Sequence, residues 1–218
     1  MAVQFDLPLS GPKAAAIREP SGFTLLRGYF SREEQAALLA DVLSRIGAAP
    51  FFRGRMPRTG TPLSVEMTNL GPLGWVSAVE GYSYRPVHPE TGAAWGAMPQ
   101  RLLDLWEALA DHPAPPEACL VNWYKPGCKL GLHIDADEDA KFAPVVSVSL
   151  GDDALFRLGG PSRKDPTRSF RLQSGDVVVL GGASRRFFHG VDRIYAGTSD
   201  LVPEGGRINL TLRRVSAA

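Results

Sequence analysis

The chain has 218 residues, of which 44% are hydrophobic and 22% charged, and its formal net charge is +1. These values are ordinary for a globular domain, and they argue against a disordered chain, a membrane-spanning chain or a strongly basic nucleic-acid binder. No apolar run approaches the roughly 18 residues of a transmembrane helix, and the N-terminus lacks the pattern of a secretory signal, so we expect a cytoplasmic protein. The two cysteines, Cys119 and Cys128, are too few for a disulfide framework.

Two helices are predicted in the first half of the chain. Ser31, with Glu34 three positions later, has the pattern of a capping box, and apolar residues at helical spacing follow as far as Gly47. Pro99 marks the start of a second helix, whose apolar face runs over residues 102–109. Both helices are expected to cover one face of a sheet.

From about residue 116 onward, the pattern changes to short strands separated by Gly or Pro. The predicted strands cover residues 120–124, 145–150, 154–158, 176–180, 186–189 and 208–213. Successive antiparallel strands without helices between them favour a sandwich or jelly roll, in which two sheets enclose a cavity. The fold class is therefore predicted to be mainly β (α+β).

Three residues among these strands carry metal-binding chemistry. His133 and Asp135 are two positions apart, so on a strand they would face the same side and present an imidazole and a carboxylate to one ion. His189 can supply a second imidazole. Two histidines and one carboxylate leave open positions on an octahedral ion, which is typical of non-haem Fe(II) oxygenases rather than closed zinc sites.

Arg207 and Arg213 both fall on the last predicted strand, and their even separation places them on one face. Two guanidiniums that face an enclosed cavity would be costly without anions, and their planar forks match carboxylates. We therefore expect a dicarboxylate ligand. One arginine would hold its distal carboxylate, and the other would steer the carboxylate that chelates the metal.

Further motifs lie around these residues and extend over about residues 20–215. They are Ser64-Val65-x-Met67-Thr68-Asn69, Gly74-Trp75, Asn122-Trp123-Tyr124-Lys125-Pro126-Gly127, His133-x-Asp135, Pro144-Val145-Val146-Ser147-Val148-Ser149-Leu150-Gly151, Gly175-Asp176-Val177-Val178-Val179 and Arg207-x-Asn209-Leu210-Thr211-x-Arg213. In order and approximate spacing they resemble the bacterial AlkB family of Fe(II)/2-oxoglutarate-dependent nucleic-acid dealkylases.

This resemblance implies a set of site residues. The iron ligands it implies are His133, Asp135 and His189. The residues it implies for 2-oxoglutarate are Asn122, Tyr124, Arg207, Asn209 and Arg213. The substrate-site residues it implies are Trp75, Tyr82, Tyr84, Asp137 and Arg163. Trp75 and His133 would sandwich a flipped base, and Asp137 would lie near its exocyclic amine.

The resemblance also implies the fold and the reaction. It implies a double-stranded β-helix, or jelly roll, with N-terminal helices packed on one sheet and a nucleotide-recognition lid. We expect one domain, 1–218, with the helices and lid over about 1–115 and the catalytic core over about 116–215. The implied reaction couples decarboxylation of 2-oxoglutarate, with O2 as co-substrate, to removal of alkyl groups from bases such as 1-methyladenine and 3-methylcytosine. Formaldehyde and succinate are the implied products.

The expected partner is alkylated single- or double-stranded DNA, with RNA as a further candidate. The implied lid, residues 54–63, has no aromatic residue, which predicts looser or differently tuned base recognition. The sequence contains no evident apolar wedge for a duplex, which favours single strands. A monomer is the default expectation for the oligomeric state. One alternative is a 2-oxoglutarate oxygenase that acts on RNA, protein or a small molecule and does not use Trp75 and Asp137. Another is a non-catalytic jelly-roll binding module with a structural metal, although Arg207 and Arg213 argue against it.

Overall fold

The computed structural model describes residues 16–217. In this part of the chain there are two α-helices, α1 (Arg32–Arg45) and α2 (Gln100–Leu109), and one 3-10 helix, η1 (Gly182–Arg186). The strands are β1 (Ala16–Arg18), β2 (Phe23–Leu26), β3 (Glu66–Leu70), β4 (Gly74–Ala78), β5 (Gly81–Arg85), β6 (Ala118–Tyr124), β7 (Leu130–His133), β8 (Val145–Gly151), β9 (Asp153–Leu158), β10 (Arg168–Leu172), β11 (Val177–Leu180), β12 (His189–Tyr195) and β13 (Arg207–Arg213). None of the described helices is long and apolar enough to cross a membrane.

The strands form two main antiparallel sheets around a cavity. The large sheet has the order β1-β2-β11-β8-β13-β6-β3, and the small sheet has the order β10-β9-β12-β7. Strands distant in the sequence, such as β6 and β13, are neighbours in the large sheet, as the wrapped connections of a jelly roll require. The predicted fold class, a mainly β double-stranded β-helix, is confirmed.

Strand β13 illustrates why the large sheet is buried on both faces. Ile208, Leu210 and Leu212 pack in the same core cluster as the apolar faces of the helices. The alternate residues Arg207 and Asn209 line the cavity between the sheets. Because successive side chains of a strand point to opposite faces, this alternation places the apolar side chains toward the helices and the polar ones toward the cavity.

The two helices begin where the sequence predicts. The Ser31 side chain accepts a hydrogen bond from the Glu34 backbone N–H, and the Glu34 carboxylate accepts one from the Ser31 backbone N–H, so the capping box is formed. Pro99 occupies the position just before α2. Val42 of α1 and Leu102 of α2 belong to the core cluster on the outer face of the large sheet, which confirms the predicted packing of helices on one sheet.

The strand predicted over 186–189 is wrong. Residues up to Arg186 form η1, and the strand begins only at His189. Gly182 has a positive φ of 51°, so the chain turns after β11 instead of continuing as a strand. The N-terminal part also contributes β1, β2 and β3 to the large sheet, and their three to five residues are too short to give a clear alternation. A division of the chain near residue 115 stays a prediction.

The predicted lid segment, residues 54–63, folds as a hairpin beside β4. The backbone N–H of Arg55 donates to the carbonyl of Ser77 (3.0 Å), and that of Arg58 donates to the carbonyl of Val79 (3.1 Å). The hairpin therefore continues the two-stranded sheet of β4 and β5. We refer to this hairpin together with β4 and β5 as the lid.

Candidate active site

Strand pairing brings His133 and His189 together. Strands β7 and β12 are antiparallel, and the two histidines are register partners with ring centroids 4.5 Å apart. Asp135 lies in the loop after β7 rather than on a strand, and its Oδ1 and Oδ2 lie 3.7 Å from His133 Nε2 and His189 Nε2, respectively. Ligand atoms of all three residues lie within 4.8 Å of one another, which suits one ion bound about 2 Å from each.

Backbone hydrogen bonds orient both imidazoles. His133 Nδ1 lies 2.9 Å from the Gly131 carbonyl, and His189 Nδ1 lies 3.0 Å from the Phe187 carbonyl. In each ring Nδ1 therefore carries the proton, and the lone pair of Nε2 faces the position where one ion would be bound by all three residues. Burial lowers the pKa of His189 to about 4, so that this ring is neutral at pH 7 and available to a metal.

The Asp135 carboxylate is kept ionised by its neighbours. Burial by itself would raise the pKa of the carboxyl group, but Arg213 and the two histidines hold it well below its usual range. Arg213 Nη2 donates to Asp135 Oδ1 at 2.7 Å, and Arg213 Nε lies 3.5 Å from Glu138. Arg213 therefore has carboxylate partners within the protein, and its implied role in holding 2-oxoglutarate stays a prediction.

Arg207 does lack an anion. Its side chain is 1% exposed, and Nε and Nη1 have no hydrogen-bond partner among residues 16–217. Burial lowers the pKa of this guanidinium to about 10, which still leaves it charged at pH 7. Tyr124 is its register partner on β6, and burial raises the pKa of the Tyr124 hydroxyl to about 12, so that it remains a donor. Together these two side chains form a site that fits a carboxylate.

Two asparagines of the cavity differ in the hydrogen bonds of their side-chain amides. Asn122 and Asn209 are register partners and both line the cavity. Asn209 Nδ2 donates to Ser147 Oγ (2.7 Å) and to the Val148 carbonyl (2.9 Å), so the strand framework already uses both of its amide protons. The implied role of Asn209 in binding 2-oxoglutarate stays a prediction.

The substrate-site residues that the resemblance implies lie mostly at the cavity mouth. The cavity has a volume of about 450 Å³, and its lining includes the metal triad together with Trp75, Tyr82, Asp137 and Arg163. The indole N–H of Trp75 donates to Asp137 Oδ2 at 2.8 Å, and Tyr82 stacks on the Trp75 ring with centroids 5.2 Å apart. Tyr84, in contrast, is not part of the lining, because its hydroxyl donates to buried Glu138.

Several residues near the cavity have no clear signal in the sequence. Met56 and Leu63 of the lid, and Lys129 before β7, line the cavity. They lie in irregular segments, where no periodic pattern indicates the direction of a side chain. Glu138 and Arg185 form a buried ion pair next to the metal ligands, and nothing in the sequence distinguishes Arg185 from its exposed neighbour Arg186.

Comparisons with known proteins identify relatives over most of the chain. A family model described as the 2OG-Fe(II) oxygenase superfamily matches residues 22–213. The chain is 54% identical over 197 residues to the alpha-ketoglutarate-dependent dioxygenase AlkB homolog of Caulobacter vibrioides, which covers 90% of this chain and 89% of that protein. It is 43% identical over 199 residues to the alpha-ketoglutarate-dependent dioxygenase AlkB of Escherichia coli strain K12, with 89% and 90% covered. The structure of OsALKBH1 matches with a TM-score of 0.76 and 32% identity, and covers 92% of this chain and 100% of that one.

These relatives agree with the chemistry of the cavity. Two imidazoles and one carboxylate suit Fe(II) with open coordination positions, and the unpaired guanidinium of Arg207 suits a carboxylate of 2-oxoglutarate. The alternative of a non-catalytic binding module is thereby set aside. The chain belongs to the AlkB family of the 2OG-Fe(II) oxygenase superfamily and is a dioxygenase that uses Fe(II), 2-oxoglutarate and O2.

Proposed function

We propose that this enzyme removes alkyl groups from ring nitrogens of nucleobases, such as 1-methyladenine and 3-methylcytosine, in DNA and, as a second substrate, in RNA. The observation that carries the proposal is the pairing of Trp75 with Asp137 at the mouth of the cavity that holds the metal triad. A base must leave its stack to reach such a cavity, and a lesion that cannot pair is the least costly base to extrude.

The charge of the lesion explains why these two residues suit it. Alkylation of a ring nitrogen on the pairing edge leaves a cationic base near neutral pH, and an aromatic face attracts a cation. The Trp75 indole supplies that face. Asp137 uses Oδ2 for the Trp75 indole, and its Oδ1 accepts no hydrogen bond from the described residues, so it is available to an exocyclic amine.

The side chains divide the work between binding and orientation. Arg207 and Tyr124 would hold the distal carboxylate of 2-oxoglutarate, and His133, Asp135 and His189 would hold Fe(II). When bound, iron, 2-oxoglutarate and O2 supply the oxidation that hydroxylates the N-alkyl carbon, after which loss of formaldehyde restores the base. Trp75, together with the lid, would orient the base and exclude water.

Phosphate contacts are proposed for Arg58 of the lid and for Arg163 and Lys164, which are exposed and form no ion pair with the described residues. Two further basic residues that follow in the sequence already have acidic partners. Arg168 pairs with Glu19, and Arg171 pairs with Asp153. Charge reversal at Arg163 or Lys164 should therefore reduce the salt dependence of DNA binding, and the same change at Arg168 should not.

The proposed preference for single strands rested on the lack of an apolar wedge. Phe142 is an exposed apolar side chain close to the cavity mouth in the sequence: it is 95% exposed and lies in the loop between Asp137 and β8. An aromatic ring this exposed contributes little to folding, and aromatic side chains can stack on bases. We retain single strands as the proposed substrate and propose Phe142 as the residue through which a duplex would be recognised.

The test is mass spectrometry of methylated oligonucleotides incubated with enzyme, Fe(II), 2-oxoglutarate and ascorbate. Single- and double-stranded DNA and single-stranded RNA, each with 1-methyladenine or 3-methylcytosine, should lose 14 Da by the loss of CH2, and His133→Ala should abolish the loss. Retained methyl groups on every oligonucleotide, while the enzyme still binds 2-oxoglutarate, would exclude this function. That result would favour a protein or small-molecule substrate instead.

Oligomeric state and location are proposed as monomeric and cytoplasmic. Light scattering coupled to size-exclusion chromatography tests the first, and a mass near 23.5 kDa is expected. Cell fractionation tests the second.

A further inference from the structure

Arg185 is buried beside the metal ligands but belongs to neither the metal set nor the 2-oxoglutarate set. It lies on η1, ahead of His189, and is 3% exposed. Its guanidinium donates to the carbonyl of Asp135 through Nη1 (2.6 Å), to Glu138 Oε2 through Nη2 (2.9 Å) and to the carbonyl of Ala143 through Nε (2.8 Å). One side chain thus fixes the start, the middle and the end of residues 135–143, which we call the metal loop.

Glu138 connects this guanidinium to the lid. Its side chain is 1% exposed, and while Oε2 accepts from Arg185, Oε1 accepts from the hydroxyl of Tyr84. Burial raises the pKa of the Tyr84 hydroxyl, so this group stays protonated and donates at neutral pH. Since Tyr84 lies on β5, the contacts run continuously from the lid through Glu138 and Arg185 to the main chain of Asp135.

Two arginines hold different parts of Asp135. Arg213 binds its carboxylate, and Arg185 binds its main-chain carbonyl. A buried ion pair adds little net stability over apolar packing, because the cost of desolvation offsets the attraction. Groups that orient a metal ligand have a different effect, since their removal weakens metal binding by about 10- to 100-fold.

We propose that Arg185 is a positioning residue: it fixes the main chain of Asp135 for metal binding and, through Glu138, couples the lid residue Tyr84 to that metal ligand. A lysine cannot replace it, because an ammonium group donates from one nitrogen, whereas Arg185 reaches its three acceptors through three nitrogens of the planar guanidinium. The proposal concerns the metal centre alone and does not depend on the nature of the substrate.

The experiment measures metal binding directly. Affinity for Mn(II) is determined from the electron paramagnetic resonance signal of free Mn(II) for Arg185→Lys and Arg185→Met. Arg186→Lys, at the exposed neighbouring position, is the matched control. Both Arg185 variants should bind Mn(II) about 10- to 100-fold more weakly than the wild type, and the control should not differ from it.

The visible spectrum of the Co(II)-loaded protein adds a readout that a purely structural role would not change. The absorption bands should shift in both Arg185 variants. Tyr84→Phe, which keeps the ring and removes only the hydroxyl, should shift the bands in the same direction but by a smaller amount. Unchanged Mn(II) affinity and an unchanged Co(II) spectrum, with a lower Tm, would identify an ordinary structural ion pair and overturn the proposal. If the Arg185 variants do not fold, Glu138→Gln and Tyr84→Phe are measured in the same way, and wild-type spectra in both would overturn it.

Discussion

Arg207→Met should stabilise the ligand-free protein and at the same time weaken its binding of 2-oxoglutarate. The Arg207 side chain is 1% exposed, and its Nε and Nη1 are buried without a hydrogen-bond partner among the described residues. Burial lowers the pKa of this guanidinium to about 10, as expected for a charge in an unfavourable environment. Methionine is flexible enough to fill the same space without carrying a charge.

The two effects have opposite signs and can be estimated. A buried, unsatisfied donor costs about 1 to 3 kcal/mol, more when it is charged, and its removal should raise Tm by roughly 2 to 4 °C for each kcal/mol in a chain of this size. In the complex, the same substitution removes one member of a buried charge pair, which costs about 2 to 5 kcal/mol. Affinity for 2-oxoglutarate should therefore fall by roughly 30-fold to several thousand-fold.

Differential scanning fluorimetry without ligand measures the first effect. Isothermal titration of 2-oxoglutarate measures the second, with Mn(II) in place of iron so that no turnover occurs. Arg193→Met, at an exposed position on β12, serves as the control and should change neither quantity. A lower Tm for ligand-free Arg207→Met, combined with unchanged affinity for 2-oxoglutarate, would refute the assignment of Arg207 as the carboxylate site.

Three further predictions concern the metal, the base and the strand. Removal of metal with EDTA should lower Tm, and Mn(II) at 100 times its Kd should restore about 2.7 kcal/mol of stability; no recovery would argue against a metal site at the triad. Asp137→Asn should lower kcat/KM for 1-methyladenine by roughly 10- to 100-fold, because it weakens a charge-assisted hydrogen bond to the base, while the affinity for 2-oxoglutarate stays constant. An equal loss of kcat/KM and of 2-oxoglutarate affinity would contradict a role of Asp137 in base binding. Phe142→Ser should leave Tm unchanged and weaken binding to methylated duplex more than to single strands, as measured by fluorescence anisotropy. An equal change in affinity for both kinds of DNA would exclude the ring from duplex recognition.

The metal triad could be predicted from the sequence because the residue types and the short spacing of His133 and Asp135 can be read from the chain directly. Two histidines and an aspartate are uncommon side chains with a well-defined ligand chemistry, and His133 and Asp135 are close in the chain. The register that brings His189 opposite His133 could not be predicted in the same way, since it depends on pairing between β7 and β12. The position of Asp135 in a loop was also missed, because a spacing of two residues fits a strand and the start of a loop equally well.

The contacts of the polar side chains around the triad could not be predicted. Asn209 follows the alternation of β13 into the cavity, yet its amide protons are donated to β8, a neighbour that only the sheet order reveals. Arg185 similarly reads as one member of a surface charge cluster, although it is buried. Alternation predicts the face of a strand on which a residue lies, whereas hydrogen-bond partners depend on segments far away in the sequence.

Arg207 and Arg213 make this distinction concrete. They are the same residue type on the same face of the same strand, and the sequence assigns them the same requirement for an anion. In the folded chain the two ends of β13 differ in their surroundings. Arg213 forms an ion pair with the carboxylate of Asp135, whereas Arg207 forms no ion pair with the described residues and lies beside Tyr124. A dicarboxylate in this cavity therefore finds one guanidinium free for a carboxylate and the other already neutralised at the metal ligand. This asymmetry supports the direction proposed for 2-oxoglutarate, with its distal end at Arg207 and its chelating end toward the triad.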